Sequence, residues 1–191
     1  MTTDGTAYPL RFDVDYPDEG QDRLRTAFGL ILLIPMAVVL WAINGLLFPG
    51  PLLMILFRRK YPRWWFDWNR EYVRFSARVG AYAALLRDEY PSTDEEQAVH
   101  LEIDYPDVEQ GLNRWLPLVK WLLAIPHLIV LFFLGIAAFF AVLFAWFAIL
   151  FTGRYPRGLF DFVVGVTRWA NRVLAYAILL VTDRYPPFSV A

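Results

Sequence analysis

The chain has 191 residues and a formal net charge of −1, with 18 Lys+Arg against 19 Asp+Glu, so no basic excess marks nucleic acid as a partner. It contains no cysteine, which excludes disulfides, thiolate metal sites and a cysteine nucleophile. Hydrophobic residues make up 58% and aromatic residues 18%, an apolar share above that of ordinary soluble domains and usual for a membrane protein.

Residues 1–8 read as a polar tail. Met1–Asp18 contains four aspartates and one arginine and no apolar core, so it is not a secretory signal peptide and insertion must rely on internal segments. Leu10–Asp15 alternates apolar and polar residues, which predicts a strand stopped by the Tyr16-Pro17 turn. Thr26–Phe57 then runs without one charged side chain, well beyond the roughly 18 residues at which such runs read as membrane-embedded. A basic junction follows, Arg58-Arg59-Lys60-Tyr61-Pro62-Arg63. Beyond it, Asp67, Arg70, Glu71, Arg74 and Arg78 fall at i, i+3, i+4, i+7 and i+11, one narrow polar stripe on a helix among Trp64, Trp65, Trp68, Tyr72, Phe75 and Val79. Residues 92–98 form an acidic linker.

The second half repeats the first. The strand segment Val99–Asp104, its Tyr105-Pro106 turn, the uncharged run Trp121–Phe151 and the junction Arg154-Tyr155-Pro156-Arg157 recur in order and at a nearly constant offset. Ile34-Pro35 matches Ile125-Pro126, and Asp88 with Tyr90-Pro91 matches Asp183 with Tyr185-Pro186. The stripe is reduced to Asp161, Gly165, Arg168 and Arg172. Ordered matches at this density predict a tandem duplication, with units at 9–91 and 99–191. The expected fold is an all-α integral membrane protein of two tandem repeats. Each would hold a short strand, a long apolar helical hairpin (or one long transmembrane helix) and an amphipathic interfacial helix.

Length and charge favour the hairpin. A single helix over either run would be about 48 Å long against a hydrocarbon core of about 30 Å. Asn44-Gly45, Pro49-Gly50-Pro51 and Gly135 offer places to turn. Arg23, Arg25, Arg114 and Lys120 precede the runs, and further arginines follow them, so the positive-inside rule wants every flank in the cytoplasm. Both termini and the linker are expected there.

Ala124-Ile125-Pro126-His127, Arg154-Tyr155-Pro156-Arg157-Gly158-Leu159-Phe160-Asp161-Phe162 and Asp183-Arg184-Tyr185-Pro186-Pro187-Phe188 resemble the bacterial membrane family known as domain of unknown function 4389. The resemblance covers roughly residues 99–189, and the first half more loosely, where Met36 stands for His127 and Trp64-Trp65 for Gly158-Leu159. It implies a prokaryotic integral membrane protein and no particular activity.

Few residues suggest chemistry. His127 and Met36, each just after the proline of its run, could together ligate haem or, through His127 alone, a chlorophyll-type pigment; a histidine satisfying a group freed by the helix kink is the plainer reading. Asp15, Asp104, Asp67 and Asp161 read as turn or helix N-terminal carboxylates rather than an acid/base set. No phosphate loop, nucleophile elbow or zinc spacing occurs. Arg63, Arg74, Arg78, Arg157, Arg168 and Arg172 are expected to contact lipid headgroups from interfacial helices. The expected function is a non-enzymatic structural membrane protein that organises or shapes the bilayer, partnered by lipids and by itself. The alternative is an accessory subunit of a larger electron-transfer or photosynthetic complex, with lipid handling a third possibility.

Overall fold

The computed structural model describes residues 8–44, 49–107 and 112–190. Its elements, in chain order, are β1 (Leu10–Val14), α1 (Arg23–Asn44), α2 (Pro49–Leu53), a π-helical turn (Met54–Arg58), α3 (Arg63–Ala83), β2 (Val99–Ile103), α4 (Pro117–Leu123), α5 (Ile125–Thr152) and α6 (Arg157–Ala177).

The two alternating segments are strands, and they pair with each other. β1 and β2 form a two-stranded antiparallel sheet with Leu10 opposite Ile103, Phe12 opposite Leu101 and Val14 opposite Val99. Because the side-chain period of a strand is two, these six apolar residues all point to one face, where all are buried. Arg11, Asp13, His100 and Glu102 occupy the other face and are exposed. Two strands cannot hold together alone in water, so the apolar face needs a helix beneath it. Here the supports are crossed. β1, from the first half, packs on α6 of the second, and β2 packs on α3 of the first.

Beneath α3 and α6 lie the apolar helices. α1 packs along α3, α5 along α6, and α1 and α5 touch each other. Direction follows from paired contacts. The Arg25 side chain donates to the Asp88 carbonyl, and a Cβ at Gly29 would lie 3.1 Å from the Tyr82 hydroxyl. Tyr72 in turn donates to the Leu40 carbonyl at 2.9 Å, so α1 ascends as α3 descends.

The matched prolines act alike. Pro35 cannot donate to the carbonyl one turn back and its ring pushes that carbonyl aside; α1 bends there, by 47° between Arg23–Gly29 and Ile31–Trp41. Pro126 stands at the start of α5, just after the break that ends α4 at Leu123.

The hairpin expected in the second run does not form. α5 is continuous from Ile125 to Thr152, and Gly135 lies within it with open space where a side chain would be. One glycine costs a helix only about 1 kcal/mol, too little by itself to break a 28-residue helix. The turn expected in the first run falls at residues 45–48, outside the described residues. Among the described residues, α5 is the one helix long and apolar enough to cross a membrane, and α1 adds a second if its bent halves count as one span.

Candidate functional site

The arginine stripes are where the two halves engage. In an antiparallel pair, alternate residues turn their backbone groups away from the partner strand, and a two-stranded sheet has nothing but edges. The outward carbonyl of Phe12 receives Nε–H of Arg168 at 2.9 Å, and that of Leu101 receives Nε–H of Arg74 at 3.3 Å. Arg168 also pairs with Asp13 at 3.0 Å, and Arg74 with Glu71 at 2.8 Å. One turn on, Arg78 is buried and donates to the Ser92 carbonyl at 2.6 Å. Arg172 is half-buried, and its own carbonyl accepts from the Tyr8 hydroxyl at 3.0 Å. Burial, and secondarily the charge of Arg168, push the Arg172 guanidinium below the usual arginine range.

The Tyr-Pro turns form a second, reciprocal set of contacts. The Tyr16 hydroxyl donates to the Tyr155 carbonyl, and the Tyr105 hydroxyl to the Tyr61 carbonyl. Arg157 lies 4.1 Å from the Tyr16 ring centroid and pairs with Asp18 at 2.9 Å; Arg63 lies 4.4 Å from the Tyr105 ring. Phe160 and Phe66 meet the same two tyrosines edge-on, at 5.0 and 5.1 Å. Of the six arginines expected at lipid headgroups, Arg74, Arg78 and Arg168 bond backbone carbonyls of the strands or linker, Arg63 and Arg157 lie exposed against the turn tyrosines, and Arg172 lines the cleft beside β1. Spacing revealed their common face but not its occupant, since a strand carbonyl and a phosphate ask the same of a guanidinium.

His127 is fully buried. Its Nδ1 accepts from the Trp169 indole N–H at 3.1 Å, and Phe188 stacks on the ring at 3.9 Å. Accepting at Nδ1 leaves the proton on Nε2, which therefore offers no lone pair in this arrangement. The neighbours of His127 belong to α6 and the C-terminal tail, whereas Met36 lies half-buried on α1. The geometry gives the imidazole a packing role, fastening the start of α5 to α6.

Lys120, which sequence reasoning counts among the charged flanks, is fully buried. Its ammonium lies 2.7 Å from Asp183 and donates to the Thr182 carbonyl at 2.7 Å, with the Tyr176 ring 5.2 Å away. Burial pushes its pKa below the ordinary lysine value, against the pull of Asp183. This pair clamps α4 to the segment after α6. Nothing in the local sequence around Lys120 signals it, because Asp183 lies across the whole second unit.

Two open clefts flank the sheet, of about 450 Å³ against Arg11, Asp13, His100, Arg168 and Arg172, and about 300 Å³ against Arg74, Arg78, Glu96 and Glu102. Both carry mixed charge, part of it joined into pairs such as Arg11 with Glu102 and Arg168 with Asp13. Among the described residues no group of three or more His, Cys, Asp or Glu is placed to hold a metal ion. Asp15 bonds His100 at 3.1 Å and Asp67 meets Arg70 at 3.4 Å, while Asp161 is exposed.

The opposite surface is of another kind. Leu128, Ile129, Phe132, Phe133, Phe139 and Phe144 on α5 are exposed, and Phe28, Ile31, Val38 and Trp41 continue the same character on α1.

No curated protein and no solved structure matches the chain. Residues 115–189, from the lead-in to α4 through the C-terminal tail, match the family model described as Domain of unknown function (DUF4389).

Proposed function

We propose that this is a non-enzymatic structural protein of a prokaryotic inner membrane, which organises or shapes the bilayer it sits in. One observation carries the reading: α5 is a 28-residue helix whose most apolar 18-residue window is only 11% buried. A soluble protein hides such a surface; a membrane protein gives it to lipid. The polar residues support a non-catalytic role, because they are spent on joining strands to helices. The tandem duplication read from the sequence fits the reciprocal contacts of Arg168 with Phe12 and Arg74 with Leu101. Headgroup contacts would then fall to the exposed basic residues Arg58, Arg59, Lys60 and Arg154. The charged sheet face and both termini are assigned to the cytoplasm.

Extraction in a mild detergent, followed by reconstitution and imaging of the vesicles, tests this. A lone or self-associated particle that changes vesicle shape is expected. Stable, stoichiometric co-purification with other subunits would instead make the protein an accessory component of a larger complex, with α5 buried against its partners. Release into the aqueous phase without detergent would end the membrane reading.

A further inference from the structure

Granting the membrane seat proposed above, we infer that α1 and α5 lie in the plane of a single leaflet rather than crossing the bilayer. The partner of this surface is one lipid monolayer, and the whole polar body stays on one side.

The inference begins with what α5 touches. His127, Ala141, Ala145 and Ile149 are buried, and Leu131, Leu134, Ala138, Val142 and Trp146 are packed beside them. On a helix these positions form one narrow stripe running the full length of α5. The body of the protein therefore lies along α5, not at one end of it. α6 is the element alongside. It leaves α5 through a link of four residues, Gly153–Pro156, and meets it again where Trp169 bonds His127. His127 is about 37 Å back from Thr152, and Trp169 about 18 Å on from Arg157. A link of this length lets the two meet only if the axes run roughly antiparallel.

A crossing α5 would therefore draw α6 through the hydrocarbon with it. Trp169 meets His127 near the start of α5, so Asp161, about 12 Å back along α6, and Arg157 with its partner Asp18, about 18 Å back, would lie at membrane depth, with β1 carried in beside them. Charged groups at that depth are strongly disfavoured, and an uncovered sheet edge is not found there. α1 is tied in the same way, running antiparallel beside α3 with its Asp67, Arg70, Glu71 and Arg74.

Two further observations agree. α5 is about 42 Å long against a hydrocarbon core of about 30 Å, which a crossing helix could fit only at a tilt beyond the usual range, whereas an in-plane helix has no length to match. Basic residues also stand at both ends of each run: Arg23 and Arg25 in the first turn of α1, Arg58 and Arg59 at the end of the π-helical turn, Arg114 before α4, and Arg154 after α5. The positive-inside rule wants both ends on one side. Since α5 makes no hairpin, lying flat is the arrangement that satisfies it. Trp64, Trp115 and Trp121, exposed beside these basic residues, suit the headgroup layer.

The cysteine-free chain makes the test direct. Ile129, Ile136, Leu143 and Phe147 lie opposite the buried stripe and are 40–54% exposed. Full-length Ile129→Cys, Ile136→Cys and Phe147→Cys, each carrying a nitroxide, are placed in vesicles of mixed neutral and anionic lipid, and label depth is read from oxygen and nickel accessibility. The in-plane seat gives three depths agreeing within about 5 Å, all about 5–10 Å below the headgroups. A crossing helix would separate Ile129 from Phe147 by about 20–27 Å along the membrane normal, with Ile136 deepest, and would overturn the inference. Dipolar broadening between labels in place of lipid contact would also overturn it, since a second copy would then cover the face. Vesicle shape is scored separately. Equal depths in unchanged vesicles keep the in-plane seat and sink the bilayer-shaping function; a crossing profile in remodelled vesicles does the reverse.

Discussion

Replacing Arg168 by methionine distinguishes strand docking from lipid contact, because methionine keeps the apolar stem and removes the guanidinium. Two interactions are lost. The bond from Nε to the Phe12 carbonyl is 2.9 Å long and charge-assisted, worth about 1.5–3 kcal/mol. The pair with Asp13 adds little, about 0–1 kcal/mol, because the Asp13 side chain is 70% exposed. The expected loss is therefore about 2–3 kcal/mol, or about 4–12 °C in Tm for a chain of this size. Thermal unfolding in a neutral detergent reads it, and amide exchange should show β1 losing protection first. Asp13→Asn is the control, and should shift Tm by under about 2 °C. If Arg168→Met is silent in neutral detergent and weakens the protein only in anionic lipid, the guanidinium belongs to headgroups and the docking account is wrong.

Lys120→Met should cost about 2–3 kcal/mol by denaturant unfolding, the lower end for breaking a buried pair, because Asp183 is 22% exposed and also accepts the Asn113 N–H; Lys120→Met with Asp183→Asn should recover about half, and no recovery would mean that the pair is not the unit lost. Gly165→Ala would drive a Cβ into the Val190 carbonyl, so limited proteolysis should find residues 186–190 released while α6 stays protected. Gly153 caps α5 at φ 75°, so Gly153→Ala should cost about 1 kcal/mol, and an unchanged Tm would contradict the left-handed cap. Purified protein should show no Soret band, and His127→Phe should leave the visible spectrum unchanged; a band lost on that substitution would restore His127 as a tetrapyrrole ligand.

Much of the local structure is legible in the sequence. Alternation in Leu10–Asp15 and Val99–Asp104 predicts both strands, and the i, i+3, i+4, i+7 spacing of Asp67 to Arg74 predicts α3 and its polar face. What the pattern lacks is any record of which strand lies on which helix. Either strand would bury its apolar face equally well on α3 or α6, and the choice is made by connection and packing, which leave no mark at Phe12 or Leu101. The arginines were legible as a stripe and illegible as partners for the same reason. Gly135 misleads in a different way, since one glycine permits a turn without requiring it. Lys120 was counted as a flank because charge at a helix end ordinarily meets water, and its partner Asp183 is far away in sequence.

The crossed supports of β1 and β2 dictate an order of events. Arg11 bonds Glu102 and Asp13 faces His100, so nothing in the sheet can close until the chain has been made through Ile103. By then α1 and α3 have long been available, and helices form from neighbours in sequence within microseconds. Closing a loop of this length costs entropy that only the finished contacts return, so strand pairing is the late and slow step. Until α6 arrives, Leu10, Phe12 and Val14 lack the helix that covers them in the finished fold. The first half is thus built to wait with its strand unplaced, and the helix that receives β1 is α6, made well after it.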